Sequence, residues 1–556
     1  MSLEAKYTRK QFVVGFLTAL GSPAFAHLQG GRQSGGDISI EDLKAYEKMI
    51  GIQFSDDERK QVLESVRQFR GTYENLRSQD IPNSVPPSTY FIPQGRQPAQ
   101  KVETQMRAEN WSDLVVPKSE EDVAFLSVAQ LSSLIRRKKI SPQELTEIYL
   151  ARLKKYGGPL LNVITLTEER ARKEAADATE QIAKGHYLGP LHGIPYGIKD
   201  LFAAKGYPTT WGAAPYKNQT FDYDCAVVEK LRAAGAVLCA KLSMGALAMN
   251  DIWFNGRTKN PWNPSQGSSG SSAGSCSAVA AGLVAFAIGS ETQGSIVSPS
   301  HRCRVTGLRP TFGRVSRFGA MALSWSMDKA GPLCRTAEDC AIVLSTILGS
   351  DPRDPTAVDR PFVWKDAPNQ KWVQSLKIGY VKGENSPDPD FIELLKAMGA
   401  KPKPVSFTPV PDGIQIDLSV ESSAAFDAFT RTDLIDELKD SAWPNIFRAH
   451  RFVPAVEYLE ALRLRTIVMQ KFEQELGDLD VVLVPDRGGG LLFTTNRTGH
   501  PQVLIPNGVI MRGSQEVEQS FSIFGRLYGE SEILKLGWLL QQKTKHHLKR
   551  PDLSKI

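Results

Sequence analysis

The chain is organised around residues 267–288, which read GSSGSSAGSCSAVAAGLVAFAI. A run of glycine and serine is most often a flexible linker. This run leads straight into the apolar residues 276–288, and a linker does not usually open a core segment. We therefore expect an ordered glycine/serine loop that is followed by a buried helix over residues 276–289.

The same loop contains a possible nucleophile elbow of the α/β-hydrolase type. Residues 270–274 fit the pattern G-x-S-x-G, in which Ser272 would be the nucleophile of an esterase-like enzyme. Such an elbow needs a strand just before it, whereas residues 260–266 read NPWNPSQ. Two prolines among polar residues do not fit a central strand. This alternative stays open, but it rests on one weak motif.

Apolar runs alternate with helical patterns along the rest of the chain. This alternation predicts an α/β architecture, in which helices cover a β-sheet. The predicted elements are a helix over 142–155 with Ser141 as its cap, a helix over 168–183, a helix over 227–234, strands over 236–240 and 481–485, a loop at 488–490 and a helix over 530–542.

Several further segments carry recognisable motifs around the loop. They are GPLHGIPYGIKD at 189–200, NPWNP at 260–264, TQGS at 292–295, GLRPTFGRVS at 307–316, DKAGP at 328–332 and NRTGHP at 496–501. In this order they resemble the amidase signature family. The resemblance is strong over about 125–350, thinner to about 545, and absent from 27–115. It implies a mixed β-sheet sandwiched between α-helical layers, in one large domain, and hydrolysis of carboxamide C–N bonds.

The resemblance also implies a catalytic triad. Ser295, at the end of a Gly-Ser turn, would be the nucleophile. Ser271, joined to Gly270 by a cis peptide bond, would bridge it to Lys199, and Ser272 would support the loop by hydrogen bonding. A serine hydroxyl is a poor nucleophile until a neighbouring group takes its proton. A lysine can do so only when neutral, and burial lowers its pKa.

The turn that ends at the nucleophile is expected to form the oxyanion hole. Backbone N–H groups of Thr292, Gln293, Gly294 and Ser295 would face the oxygen on which negative charge develops. The family needs no cofactor and no metal. The histidines His192, His301 and His500 could be offered as triad bases, but this reaction does not need them.

Five features depart from the family pattern. Gln293 replaces a glycine, so it would be strained if the position required positive φ and would otherwise be free to touch the substrate. Glu291 replaces an aspartate, and Val297 replaces an arginine, which indicates that an internal ion pair is missing. Residues 302–304 bring two arginines into a usually apolar stretch, and Ala273 replaces a glycine.

Composition excludes some classes of protein. The 556 residues (61.3 kDa) are 41% hydrophobic and 23% charged, which is enough apolar surface for a folded core. Lys and Arg total 67 against 61 Asp and Glu, so the formal charge of +6 does not indicate a nucleic-acid partner. The six cysteines form no C-x-x-C pair, and we expect mostly free, buried thiols.

The N-terminus has the pattern of a signal peptide. Lys6, Arg9 and Lys10 precede the apolar residues 12–20, and residues 22–26 end in Ala-Phe-Ala. Residues 8–12 are similar to a twin-arginine signal with lysine in the second place. We expect cleavage after Ala26 and export to the periplasm or medium, without a membrane anchor after processing.

These patterns divide the chain into predicted segments. They are a signal peptide (1–26), a flexible segment (27–37), an N-terminal helical hairpin (38–80) with caps at Ser39 and Ser55, a Pro-rich connector (81–115), the amidase domain (116–545) and a frayed tail (546–556).

The sequence thus predicts an exported serine amidase that hydrolyses a small-molecule amide through an acyl-enzyme. It leaves the oligomeric state open, and a homodimer is one possibility. One alternative is the amidase-type subunit of a glutamyl-tRNA amidotransferase. Another is a catalytically inactive binding protein, which Gln293 and Val297 motivate. The acyl and amine groups of the substrate are not given by the sequence.

Overall fold

A computed structural model describes residues 37–79, 81, 88–89, 103–109, 111–381, 389–438, 441–513 and 515–556. The predicted signal peptide, the flexible segment up to residue 36 and most of the Pro-rich connector lie outside these residues.

The chain divides into two compact units, Met1–Leu63 and Glu64–Ile556. The first contains the helix Ile40–Ile50, which Ser39 caps together with Asp42, and the start of the helix Asp56–Arg77. Within this unit, the guanidinium of Arg59 lies 2.7 Å from the Glu47 carboxylate. Both helices fall in the range of the predicted hairpin.

Within the described residues, an eleven-stranded mixed sheet forms the centre of the second unit. Its strands are β1 (Val163–Leu166), β2 (Pro195–Lys199), β3 (Val237–Leu242), β4 (Phe286–Glu291), β5 (Thr306–Arg309), β6 (Lys329–Cys334), β7 (Ile378–Val381), β8 (Lys403–Val405), β9 (Val481–Pro485), β10 (Gln502–Arg512) and β11 (Gln515–Gly525). Their order across the sheet is 8-7-9-11-10-5-6-4-2-3-1. β2 pairs in parallel with both β3 and β4, whereas β4 pairs antiparallel with β6.

Short strands outside this sheet pair two by two. They are Thr104–Met106 with Phe362–Trp364, Ile252–Trp253 with Gly256–Arg257, and Lys259–Asn260 with Asn263–Gly267.

Helices surround the sheet. Those of the second unit, in chain order after Asp56–Arg77, are Glu120–Ala124, Val128–Arg136, Pro142–Leu160, Glu168–Ala183, Ala226–Ala233, Ala273–Ala280, Val297–Cys303, Ala337–Ile347, Gln370–Ser375, Pro389–Ala397, Ile416–Ala425, Asp427–Thr430, Trp443–Ala449, Ala455–Leu476, Gly489–Thr498 and Glu530–Thr544.

Both faces of the sheet are covered, because alternate residues of its strands enter different hydrophobic clusters. Phe286 and Ile288 belong to one cluster, which also includes residues of the helices Ala337–Ile347 and Glu530–Thr544, whereas Ala287 between them belongs to another, which includes residues of the helix Ala273–Ala280. Successive side chains of a strand point to opposite faces. The predicted mixed sheet between helical layers is confirmed.

The predicted helix over 276–289 is wrong in its second half. The helix ends at Ala280, and residues from Phe286 onward form β4. Gly282 has a φ of 62°, which ends the helix and turns the chain into the sheet. The segment is nonetheless buried throughout, so its apolar composition predicted burial correctly but not the type of element.

Other predicted elements agree more closely. The helix Pro142–Leu160 begins with the expected capping box between Ser141 and Glu144, and Glu168–Ala183 has the predicted bounds. Two expectations near the C-terminus are wrong. The glycines at 488–490 begin the helix Gly489–Thr498 instead of forming a loop, and the tail is packed, with Leu553 only 7% exposed.

All six cysteines, each of them a described residue, are buried and unpaired, as expected. In the part of the chain that the structure describes, none of the helices is both long and apolar enough to cross a bilayer.

Candidate active site

Lys199 lies at the end of β2, which is flanked by β3 and β4 in the sheet, and its side chain is fully buried. Its Nζ donates to the hydroxyl of Ser271 at 2.7 Å and to the hydroxyl of Ser290 at 2.9 Å. Burial lowers the pKa of Lys199 to about 7, although Asp328 and Glu291 favour the charged form. A large fraction of this amine is therefore neutral at physiological pH.

Ser271 follows Gly270 through a cis peptide bond, as the family resemblance implies. The loop approaches the backbone at residue 250 so closely that a Cβ on Gly270 would lie 1.7 Å from the carbonyl oxygen of Asn250. The carboxylate of Asp251 accepts a hydrogen bond from the Ser269 N–H at 3.0 Å. These contacts explain why a segment so rich in glycine and serine is ordered.

Ser272 fastens the loop to two other parts of the site. Its hydroxyl donates to the Ser290 carbonyl at 3.0 Å and accepts from the Ser290 N–H at 3.2 Å. Its own N–H donates to the carbonyl of Ser295 at 3.0 Å. Because this hydroxyl is buried and already bonded, the contacts favour the predicted supporting role over a nucleophile elbow. The strand before the loop, Asn263–Gly267, also belongs to a separate two-stranded sheet.

The turn between β4 and the helix Val297–Cys303 contains Ser295, which is partly exposed. Among the described residues, the structure provides no acceptor for the backbone N–H groups of Gln293, Gly294 and Ser295. These donors are thus available to an oxygen atom of a bound molecule. At the start of the turn, the side chain of Thr292 donates to the carboxylate of Asp328 at 2.6 Å.

The structure resolves the two expectations for Gln293. Gly294 has a φ of 99°, whereas Gln293 does not adopt positive φ. The left-handed position of the turn is therefore occupied by a glycine, and glutamine is not strained there.

The carboxylate of Glu291 forms hydrogen bonds to the backbone at the C-terminal end of the turn. One carboxylate oxygen accepts from the N–H groups of Ile296 at 2.9 Å and Val297 at 3.0 Å. The other accepts from the guanidinium of Arg309 at 3.1 Å and the amide of Asn496 at 2.8 Å. Val297 carries no charge, and the cation that pairs with Glu291 is Arg309 of β5. Burial alone would raise the pKa of Glu291, but these partners together lower it.

Ser290, Asp328 and Asn496 belong to the site but were not singled out from the sequence. Asp328 and Asn496 lie within the motifs DKAGP and NRTGHP, so the motifs marked the segments without indicating which side chain points inward. Ser290 carries no sequence signal, since its role follows from the pairing of β2 with β4 next to Lys199.

The three histidines lie in other environments. The ring of His192 accepts from the Leu188 N–H, that of His301 contacts the Ser520 hydroxyl at 2.7 Å, and that of His500 contacts Thr498 and Glu473. Over the described ranges, no group of three or more Cys, His, Asp or Glu side chains is arranged to hold a metal ion.

A cavity of about 420 Å³ opens beside Ser290 and Thr292. Leu201 and Phe202, which follow the catalytic-lysine candidate in the chain, form part of its wall. Segment 317–330 forms much of the rest. A cavity of this size is typical of a small-molecule site.

The chain is similar to several known proteins. A family model described as Amidase matches residues 144–489. The A subunit of the glutamyl-tRNA(Gln) amidotransferase of Methylococcus capsulatus is 34% identical over 482 residues, which cover 76% of this chain and 98% of that protein. The corresponding protein of Moorella thermoacetica is 30% identical, covering 78% and 99%. The solved structure of the peptide amidase from Stenotrophomonas maltophilia matches with a TM-score of 0.66 and 25% identity, covering 75% of this chain and 97% of that one.

Proposed function

Because the chain belongs to the amidase family, whose members act on amide C–N bonds, we propose that it hydrolyses a carboxylic amide through a serine acyl-enzyme. The observation that carries the proposal is the 2.7 Å contact between the buried amine of Lys199 and the hydroxyl of Ser271. A lysine with a pKa of about 7 can accept a proton near neutral pH.

In the proposed first step, Ser295 Oγ attacks the carbonyl carbon of the amide. As the new C–O bond forms, the Ser295 proton passes to Ser271 Oγ, and Ser271 passes its own proton to the neutral Nζ of Lys199. The carbonyl electron pair moves onto the oxygen atom, which the free N–H groups of Gln293, Gly294 and Ser295 stabilise. Loss of one such donor typically slows a reaction by about 10²–10³-fold.

The tetrahedral intermediate then loses its amine. The C–N bond breaks as Ser271 donates a proton to the leaving nitrogen and recovers one from Lys199. Water attacks the resulting ester by the same route, and its proton follows the same path to Lys199. Breakdown of the second intermediate releases the acid and returns the proton to Ser295.

Three variants test these roles. Ser295→Ala should abolish hydrolysis, and Lys199→Ala should lower kcat by about 10²–10⁴-fold, as expected for loss of a general base. Ser272→Ala should retain Ser295 as the residue labelled by a fluorophosphonate. Full activity of Ser295→Ala together with loss in Ser272→Ala would establish the hydrolase elbow instead. A protein in which Ser295 stays unlabelled would be an inactive binding protein.

A second candidate is the amidase-type component of a tRNA-dependent amidotransferase. The names of the curated relatives favour it, and their alignments span nearly all of those proteins. Such a component would release ammonia from glutamine for a partner protein. Affinity purification from the native cell tests this: recovery of a stoichiometric partner protein, with glutaminase activity that depends on it, would support this candidate over a self-sufficient amidase.

Export is also part of the proposal, on the signal-peptide pattern of residues 1–26. Cell fractionation followed by N-terminal sequencing tests it. An N-terminus at His27 in the periplasm or medium is expected, whereas an intact N-terminus in the cytosol would count against export and for the amidotransferase component.

A further inference from the structure

The cavity beside Ser290 and Thr292 has walls that are mainly apolar. Leu201, Phe202, Met321 and Leu323 line it, and each of these side chains is less than 9% exposed. Trp325, which is 51% exposed, lies on the same lining. Much of the surface of a group bound here would therefore be transferred from water to an apolar environment.

Asp328, an acidic residue that lines the cavity, already accepts three hydrogen bonds. Asp328 accepts from the Thr292 hydroxyl with one oxygen, and from the N–H groups of Leu323 and Ser324 with the other, at 2.8 and 2.9 Å. Lys329, the next residue, is buried and donates to the carbonyls of Met327 and Asn496. Neither side chain is available as a counter-ion for a charged substrate.

The two arginines of the cavity are also engaged. Arg317 donates to the Thr356 hydroxyl and to the Trp325 carbonyl, both at 2.8 Å, and lies 3.5 Å from the carboxylate of Asp354. Arg353 forms ion pairs with Asp351 at 2.9 Å and with Glu229 at 2.6 Å. Their positive charges are balanced by carboxylates of the protein itself.

We infer that this cavity receives an uncharged, largely apolar acyl group, so that the substrates are amides of aryl-alkyl or aliphatic acids and not free glutamine. The inference rests on the proposed hydrolytic function. Thr292, which lines the cavity, begins the turn whose N–H groups would hold the carbonyl oxygen. The cavity therefore lies next to the proposed position of the amide group, and we assign it to the acyl side. The α-ammonium and α-carboxylate of glutamine would find no unpaired partner among the described residues that line it, and burying an unpaired charge is unfavourable.

A panel of primary amides tests the inference, because all of them release ammonia. 3-Phenylpropionamide, propionamide and glutamine are compared with the purified full chain. We expect kcat/KM for 3-phenylpropionamide to exceed that for propionamide by at least about tenfold, since even one methylene in an apolar pocket can give that ratio. Glutamine should be the poorest of the three. A kcat/KM for glutamine equal to or above that of 3-phenylpropionamide would overturn the inference.

A variant that fills the cavity tests whether the substrate preference arises there. Ala322 is a half-buried lining residue, and Ala322→Phe should lower kcat/KM for 3-phenylpropionamide at least about tenfold while sparing propionamide. Ala234, half-buried outside the cavity, provides the matched control: Ala234→Phe should leave the ratio of the two substrates unchanged. An equal loss of kcat/KM on both substrates in Ala322→Phe would contradict an acyl-side pocket. So would a selective loss of aniline release from acetanilide, whose bulky group is on the leaving amine.

Labelling by a small methyl fluorophosphonate separates failure of this inference from failure of the proposed function. Labelling of Ser295 in both wild type and Ala322→Phe, combined with a preference for glutamine, would refute only the apolar pocket. No labelling and no ammonia release from any amide would refute the hydrolytic function itself.

Discussion

At the scale of single residues, the chemistry of the site depends on the protonation state of Lys199. Its fully buried amine contacts two hydroxyls at hydrogen-bond distance, and burial lowers its pKa to about 7. The same side chain at the protein surface would be charged at that pH and could not accept a proton.

The lowered pKa predicts the pH dependence of the reaction. Below pH 7 the ammonium form dominates and cannot act as a base, so kcat/KM should fall as pH decreases through an apparent pKa near 7. Lys199→Arg, which stays charged at all accessible pH values, should be inactive across the range. A flat profile from pH 5 to 9 in the wild type, measured by initial rates of ammonia release, would argue against a lysine base.

The nucleophile turn gives a second prediction at this scale. Gly294 adopts a φ of 99°, so Gly294→Ala should strain the turn by about 1–2 kcal/mol and reduce kcat strongly. Gln293→Ala serves as the adjacent control, because that position does not require positive φ. Titration of the acyl-enzyme burst, together with thermal unfolding, distinguishes a misplaced turn from a misfolded protein. Similar losses in both variants would be inconsistent with this account.

At the scale of elements, the turn is positioned by a buried ion pair between strands. Glu291 at the end of β4 bonds the backbone N–H groups just after Ser295, and Arg309 of β5 holds its carboxylate. Both side chains are fully buried. Breaking a buried pair by removing one partner leaves an uncompensated charge.

We therefore expect Arg309→Met to reduce the free energy of unfolding by about 3–5 kcal/mol. The double variant Glu291→Gln, Arg309→Met should lose less than the sum of the two single variants, because the charges are removed together. The lowered pKa of Glu291 sets the direction of the pH dependence. The stabilisation by this carboxylate is present at neutral pH and is lost as pH falls through the pKa of Glu291 in the folded protein. Urea unfolding at pH 7 and at pH 4 measures both effects, and additive losses would exclude direct coupling.

The loop that carries Ser271 gives another prediction for this scale. Gly270→Ala would place a Cβ against the Asn250 carbonyl, so the loop must move and activity should be lost. Gly71→Ala is the control, because that glycine lies in the helix Asp56–Arg77 with no atom within 4 Å of the added Cβ. It should raise stability by about 0.5–1 kcal/mol and leave kcat unchanged. Wild-type activity in Gly270→Ala would show that the close approach does not matter.

At the scale of the whole molecule, the C-terminal residues are part of the packed second unit. Leu553 is 7% exposed within a hydrophobic cluster, and Arg550 lies 2.7 Å from Asp122 and over the ring of Phe125. The C-terminal tail thus contacts residues that come before β1 in the chain.

Leu553→Ala should consequently reduce the free energy of unfolding by about 2–5 kcal/mol, as for other buried leucines. Leu548→Ala, at a position that is 61% exposed, should change it by less than about 0.5 kcal/mol. Urea denaturation compares the two. Equal effects would mean that the tail does not contribute to the core.

The sequence by itself determined the family, the α/β class and the identity of the segments that meet at the site. It did so because its motifs, in their order along the chain, resemble those of the amidase signature family. It also predicted local elements whose signals are local, such as the capping box at Ser141.

Only the tertiary structure decided which side chains complete the site. Ser290 reaches Lys199 because β2 and β4 pair in parallel, and Arg309 of β5 reaches Glu291 of β4 although β6 lies between these two strands in the sheet. The switch from helix to strand between Ala280 and Phe286 likewise depends on pairing with β2, far earlier in the chain, and with β6, well after it. Contacts between residues so far apart along the chain depend on how the strands pair, and an apolar stretch of sequence does not indicate which strand it will pair with.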